Sequence, residues 1–362
     1  MTTADRHPLQ VGSALALASA LLFGLSTPVL HHFTATAAGT RAPVGGPFAT
    51  AALLYGGAVL SALPLRLWRG GGETSLRGKN ALRIAAVAVC GAVVAPACLA
   101  WGLAHTTGLV ASLLLGTEAF FTAVLAALFF REPLGRRVWG ALALVAVASM
   151  LLVTDAQTDL RVPILPALAV LAAAFFWGLD NTLTRPFADL DPRQVVRTKG
   201  AVGTCLSLVL MVVLGETRPS ASDALGILVT GALGYGTSLH LYLLAQRRIG
   251  AARTASIFAT APFLGAAAAW VLGDGTPDRS SLTAAVLVAG ALFLHFRETH
   301  GHDHHHAALE HDHAHRHDDG HHDHVHDASM AGVNGEHSHP HRHEESHHSH
   351  AHGPDLHHQH RH

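Results

Sequence analysis

Two apolar segments of membrane-spanning length, joined by a short basic hinge, constrain this chain more than any other feature. Both segments lie within residues 108–154, and the hinge occupies residues 131–137 (REPLGRR). About 20 apolar residues cross the hydrocarbon core of a bilayer as a helix, and so charged a hinge does not remain in that core. The pattern predicts a transmembrane hairpin with one acidic residue, Glu118, about midway along its first helix.

Similar apolar segments fill most of the remaining chain. Backbone amides without partners are costly in hydrocarbon, so segments that cross a bilayer singly must be helical. The sequence therefore predicts an all-α membrane protein of ten transmembrane helices, followed by a disordered His-rich C-terminal tail. The predicted spans are residues 11–30, 47–67, 81–103, 109–130, 138–153, 164–184, 200–214, 224–245, 254–272 and 281–296.

Basic residues are distributed unevenly between the predicted loops. With a cytoplasmic N-terminus, 17 Lys and Arg residues fall on the inner side and 4 on the outer side. Positively charged loops remain in the cytoplasm. We therefore predict a multi-pass protein of the inner or plasma membrane with both termini cytoplasmic.

The chain also carries the signature of an internal duplication. Residues 23–26 (FGLS) are similar to residues 177–180 (WGLD), and residues 108–132 align without a gap on residues 250–274. Each half would hold five helices, and an odd number gives the halves opposite orientations in the membrane. The predicted organisation is a short cytoplasmic N-terminus (1–10), two inverted five-helix repeats (11–155 and 156–297) and the tail (298–362).

Part of the hairpin is similar to a known family. Residues 117–152 (TEAFFTAVLAALFFREPLGRRVWGALALVAVASMLL) resemble the end of an EamA domain of the drug/metabolite transporter superfamily. Glu132 before the basic turn and Trp139-Gly140 at the start of the next helix carry the resemblance, which extends over about residues 11–297. It implies a secondary carrier, often an exporter of amino acids, metabolites or drugs. Asp274 stands where the family usually has Glu.

Several residues inside the predicted spans are candidates for substrate binding or proton coupling. A charge at the middle of a transmembrane helix is expensive and usually functional, which singles out Glu118; a structural hydrogen bond is its other interpretation. Asp180 could face a cavity or pair with Arg185 near the interface. The full candidate set is Glu118, Asp180, Asn181, His240, Phe23 and Trp177, in which His240 is also explained as an interfacial polar residue and the aromatic residues as packing.

The C-terminal tail differs from the rest in composition. Residues 300–362 hold 25 of the 31 His and 11 acidic residues, with few large apolar residues to form a core. Imidazole binds Zn, Ni, Co and Cu, so the tail is predicted to bind metal, with storage, sensing, delivery or an incidental property left open. The first ligand candidates are His302, His304, His305, His306, His311, His313, His315, His317, His321, His322, His324 and His326.

Three functions remain open at this point. The favoured one is a secondary transporter, with no cofactor required, of a small metabolite, amino acid or drug. A divalent metal carrier (Zn, Ni or Co) is the alternative, and a membrane metal sensor or metal chaperone is a candidate of another class. The sequence contains no phosphate-binding loop, hydrolase elbow or HExxH motif, so we predict that it is not an enzyme.

Overall fold

A computed structural model of the chain is helical throughout its apolar part. It describes residues 3–34, 45–62, 81–130, 136–154, 164–184, 192–249, 251–296, 300–306, 309–315, 337–343 and 346–352. The helices are α1 (Thr3–Thr34), α2 (Pro47–Ser61), α3 (Ala81–Val89), the π-helical segment π1 (Cys90–Val94), α4 (Ala95–Leu103), α5 (Gly108–Leu115), α6 (Glu118–Phe130), α7 (Arg136–Thr154), α8 (Ile164–Thr184), α9 (Pro192–Val213), α10 (Ala221–Thr230), the π-helical segment π2 (Gly231–Thr237), α11 (Ser238–Ile249), α12 (Ala251–Phe258), α13 (Ala261–Val271) and α14 (Arg279–Phe296).

The helices have the length and apolarity of a multi-pass membrane protein. Six stretches are long and apolar enough to cross a bilayer: Gln10–Thr34, Leu82–Leu103, Gly108–Phe129, Ile164–Thr184, Gln194–Val213 and Ala221–Gln246. Four shorter apolar helices accompany them: Pro47–Ser61, Trp139–Leu152, Ala261–Val271 and Arg279–Leu294. Each of these stretches overlaps one of the predicted spans. Large apolar side chains such as Leu82 and Val271 stay more than 80% exposed, as expected of surfaces that face lipid.

Two of the predicted spans are broken by a tight turn in the middle. The span over residues 109–130 consists of α5 and α6, and the amide of Thr117 donates to the carbonyl of Leu114 at 3.0 Å across the break. In the span over residues 254–272, Thr260 does the same to Ile257 at 3.1 Å between α12 and α13. Both threonine hydroxyls also donate to those same carbonyls, at 2.7 Å. After each break the threonine carbonyl accepts from the first turn of the next helix: Thr117 from Phe120 and Phe121, and Thr260 from Phe263 and Leu264.

The third and eighth predicted spans each contain a π-helical segment. π1 separates α3 from α4, and π2 separates α10 from α11. In the alignment of the two halves, residue 108 corresponds to residue 250, which is an offset of 142 residues. With the same offset, residues 90–94 of π1 correspond to residues 232–236, which lie inside π2. In π2, a Cβ at Gly231 would collide with the backbone of Leu54, so the glycine permits close contact with α2. π-helical turns inside α-helices often occur at functional sites.

Helices from the first and second halves of the chain pack against each other. α1 packs on α11 and α13, whereas α8 packs on α4 and α6. α2 packs on α9, and α7 packs on α14. The buried core along these contacts is built mainly from alanine and leucine, and its aromatic members are Phe120, Trp177, Tyr55 and Tyr235. Small residues at helix contacts let the backbones approach closely, as in other membrane proteins.

The described part of the tail is paired in strands, which differs from the predicted disorder. β1 (His300–His306) pairs antiparallel with β4 (Ser346–His352), and β2 (Leu309–His315) pairs antiparallel with β3 (His337–His343). The composition argument considered only core burial, whereas a strand ladder satisfies its backbone groups by itself. The predicted ligands His317, His321, His322, His324 and His326 lie outside the described residues.

Candidate functional site

Glu118 begins a helix instead of lying in the middle of one. It is the first residue of α6, directly after the turn at Gly116–Thr117, although it still lies about midway along the apolar stretch Gly108–Phe129. The hydropathy of the segment gave no sign of this break. A carboxylate is favoured at a helix N-terminus, where the backbone amides concentrate positive partial charge. Asn181 of α8 donates from Nδ2 to Glu118 Oε1 at 2.8 Å, which joins two of the predicted site residues.

Asp180, the neighbour of Asn181, forms a buried ion pair. Its side chain is buried against π1, where a Cβ at Gly91 would collide with the carboxylate. Lys199 Nζ of α9 donates to Asp180 Oδ2. The partner is therefore a lysine, and Arg185 lies outside the described residues.

Lys199 is the functional candidate that the sequence analysis missed. Its predicted span starts at Gly200, whereas α9 begins at Pro192 and carries Lys199 about two turns into the helix. Three basic residues within 193–199 lowered the local hydropathy and led us to assign this stretch to a loop. A lysine on a spanning helix needs a partner charge because its transfer into hydrocarbon is costly, and Asp180 meets that need.

The carbonyl of Gly91 links the ion pair to aromatic side chains. Tyr55 Oη donates to this oxygen, and Trp177 Nε1 donates to it at 3.0 Å. A carbonyl with two side-chain donors is held firmly, and a π-helical turn alters the backbone pairing that would otherwise occupy it. Gly91 therefore fixes Tyr55 and Trp177 beside Asp180.

The predicted aromatic residues belong to one cluster. The ring of Phe23 lies 6.2 Å from that of Trp177, 5.7 Å from that of Tyr235 and 5.4 Å from that of Phe258, between centroids. Tyr235 also contacts Tyr55 at 5.9 Å and Trp177 at 6.0 Å. Trp177 and Asp180 are three residues apart on α8, so the cluster and the ion pair share one side of that helix.

His240 lies half-buried in α11, beyond π2. Its predicted role as a proton relay stays a prediction. Among the residues whose side chains the structure describes, there is no group of three or more His, Cys, Asp or Glu that could hold a metal ion.

A second set of carboxylates joins distant helices at the predicted outer side. Asp274 Oδ2 accepts from the amide of Gly108 at 3.0 Å and lies 2.7 Å from His31 Nδ1. Glu216 accepts from the amides of Phe48 and Ala49 at 3.2 and 2.9 Å, at the start of α2. Both carboxylates cap helices that lie far earlier in the chain. These contacts were not predicted, although Asp274 stands out in the sequence as a departure from the family pattern.

Comparison with known proteins assigns the family. The model of the EamA-like transporter family matches residues 10–154 and again residues 164–297. The chain belongs to this family. As an EamA-like transporter it has the membrane-spanning helices and the duplicated match that the sequence led us to expect.

Two relatives indicate what such proteins do. An uncharacterized transporter of Methanothermobacter thermautotrophicus is 29% identical over 237 residues, which cover 63% of this chain and 68% of that protein. A probable amino-acid metabolite efflux pump of Salmonella typhimurium is 27% identical over 201 residues, which cover 51% of this chain and 66% of that protein. A solved crystal structure shares the fold, with a TM-score of 0.54 at 20% identity over 78% of this chain and 94% of that one.

Proposed function

We propose that this EamA-like transporter is a secondary exporter of a small amine-bearing metabolite, amino acid or drug. The observation that carries the proposal is the presence of two acidic side chains, Glu118 and Asp180, on the packed helices α6 and α8. They lie in separate matches of the family model, and Asn181, the chain neighbour of Asp180, donates to Glu118. Charged groups inside a membrane bundle mark substrate or proton pathways. The amino-acid efflux pump among the relatives supports the same class of substrate.

The transporter consists of two five-helix halves of opposite orientation, which rock against each other around this site. The turns before α6 and α13 and the segments π1 and π2 support this arrangement, because each pair recurs about 142 residues apart. So does the packing, in which α1 contacts α11 and α13 while α8 contacts α4 and α6. Binding sites of inverted-repeat transporters lie between the repeats near midplane.

The orientation proposal places both termini in the cytoplasm of the cell. The excess of Lys and Arg in the predicted inner loops supports it, although two of the residues counted there, Arg197 and Lys199, lie on helix α9 in the structure. A reporter active only in the cytoplasm should work when fused after Asn80, Arg137 or Arg297 and stay silent after Arg161. Activity at Arg161 would contradict opposite orientations of the halves.

Replacing Glu118 by Gln tests the role of the site directly. The amide keeps an acceptor for Asn181 but removes the titratable charge. We expect transport into proteoliposomes to fall strongly and to lose its dependence on pH between about pH 6 and pH 8. Asp223→Asn is the control, because Asp223 lies in the first turn of α10 and its carboxylate accepts from Ser220 within that turn. Normal transport by Glu118→Gln across this range would show that Glu118 is structural.

We further propose that the His-rich tail binds Zn, Ni, Co or Cu and adjusts the transport rate. Without metal, the negatively charged tail is attracted to the basic inner loops. Metal binding would reduce this negative charge and so weaken the attraction. A chain ending at Thr299 should transport at a rate that zinc does not change, whereas zinc should change the rate of the full chain. If zinc affects the full chain and the shortened chain equally, the tail is only a passive metal buffer. Zinc flux through the shortened chain would instead favour the metal carrier, and absence of any flux with metal-dependent partner binding would favour the sensor.

A further inference from the structure

The histidines of the tail recur at every second position of its strands. β1 reads HGHDHHH and β3 reads HSHPHRH, with a histidine at each odd place of the segment. β2 (LEHDHAH) and β4 (SHHSHAH) each hold three histidines in the same alternation. A period of two is that of a β-strand, in which alternate residues belong to one face. Each strand therefore has one face that is rich in histidine.

The register of the two ladders brings these faces together. Between β1 and β4, the pairs on one face are His300 with His352, His302 with His350, His304 with His348, and His306 with Ser346. Between β2 and β3, they are Leu309 with His343, His311 with His341, His313 with His339, and His315 with His337. In each ladder, seven of the eight positions on this face, the histidine face, are histidine. The opposite face has one histidine pair in the first ladder, His305 with His347, and none in the second.

Neither ladder has apolar residues with which to form a core. Leu309 is the one large apolar residue in the four strands, and an isolated two-stranded ribbon is marginally stable at best in water. Residues directly opposite each other have Cβ atoms about 4.5–5.5 Å apart, and neighbours on one face of a strand lie roughly 6.6 Å apart. Two adjacent cross-strand pairs therefore gather four histidines within a few ångströms of one another.

We propose that each histidine face binds a divalent ion such as zinc through two adjacent cross-strand pairs. The inference rests on the proposed metal binding of the tail, and it names the ligands and the strand pairing that they require. Imidazole is a good ligand for zinc, and four is the usual number of protein ligands in a structural zinc site. The pair His302–His350 belongs to both quartets that complete pairs can form in the first ladder, and His313–His339 does so in the second.

The ion also replaces the missing core. Its four ligands come from two strands, so they are close together only when the strands are paired. The free energy of metal binding therefore stabilises the pairing itself. A tail that bound metal through its composition alone would gain no such order, because any nearby histidines along the chain could serve as ligands.

Hydrogen–deuterium exchange of the purified full-length protein, with and without zinc, tests the inference. Zinc should slow the exchange of backbone amides in all four strands. Two variants of the first ladder then remove the same number of histidines from the same pair of strands. His302→Asn with His350→Asn removes the pair that both quartets share, whereas His305→Asn with His347→Asn removes the pair on the opposite face.

The two variants should differ in one ladder only. The first should lose the protection by zinc in β1 and β4 and keep it in β2 and β3, and the second should keep it in all four strands. Equal loss in both variants, or zinc binding to the wild type without any change in exchange, would overturn the inference and leave a tail that binds metal through its composition. No binding of zinc to the wild type would refute the inference and the proposed metal binding of the tail together.

Discussion

Gly178 offers a sharp test of how α8 is seated against α6. A Cβ added at this glycine would lie 2.9 Å from the Cβ of Phe121 and 2.9 Å from the amide nitrogen of Thr122. Real Cβ contacts are essentially never under 3.0 Å, and ordinary contacts begin at 3.4 Å. Gly178→Ala therefore forces the two backbones apart by about half an ångström, since one of the two neighbours is backbone and cannot rotate away.

The expected cost follows from overpacking. Inserting one methyl group into a packed core costs about 1–3 kcal/mol, and here no flexible side chain absorbs the strain. Asn181 lies one turn beyond Gly178, so the same shift lengthens its 2.8 Å hydrogen bond to Glu118. We expect both the thermal stability of the detergent-solubilised protein and its transport rate to fall.

The matched control is Gly56→Ala in α2. A Cβ there would meet only Thr204, at 3.8 Å from Cγ2, which is an ordinary van der Waals distance. This variant should keep the melting temperature and the transport rate of the wild type. If Gly178→Ala behaves like Gly56→Ala in both measurements, the close contact between α6 and α8 is not as described.

Two further predictions concern carboxylates outside the spans. Asp274→Ala should lower stability by about 1–2 kcal/mol, because it removes the acceptor for Gly108 and a partly buried partner of His31; a denaturation midpoint equal to that of the wild type would contradict this. Asp278→Ala should cost about 1 kcal/mol at neutral pH, since the carboxylate accepts from the amide of Ser281 at 2.7 Å at the start of α14. Partial burial raises the pKa of Asp278, but hydrogen bonds from Ser281 outweigh it and leave the pKa below its ordinary value. The stabilisation is thus present above about pH 4 and is lost as the pH falls through the folded-state pKa, so an Ala variant whose deficit persists in acid would refute the capping role.

The membrane-spanning helices could be predicted from the sequence because hydropathy is a property of each local stretch. Each predicted span overlaps an apolar stretch of the structure, and span 164–184 matches α8 at both ends. Hydropathy averages over many residues, so it cannot register a turn of two residues such as Gly116–Thr117. The signals that do exist there are chemical: a threonine whose hydroxyl can bond back to its own helix, and Pro262 just after the second break.

Only part of the candidate site could be predicted from the sequence, for a related reason. Glu118, Asp180 and Asn181 stood out because polar groups are rare in apolar segments. Lys199 did not, since it follows two arginines and reads as the edge of a loop. Tyr55 and Tyr235 are ordinary aromatic residues in sequence, and only their contacts give them a place in the site: Tyr55 donates to the carbonyl of Gly91, and Tyr235 packs on the rings of Phe23 and Trp177.

The Asp180–Lys199 pair also has a consequence for how the chain enters the membrane. Each charge alone would cost about 3 kcal/mol at the centre of an inserted helix, so α8 is easier to insert once its cation has been made. Lys199 is 19 residues later in the chain, and at about 5–20 residues per second its synthesis takes one to four seconds. We therefore expect α8 to stay beside the insertion machinery during that interval and to enter the lipid together with α9.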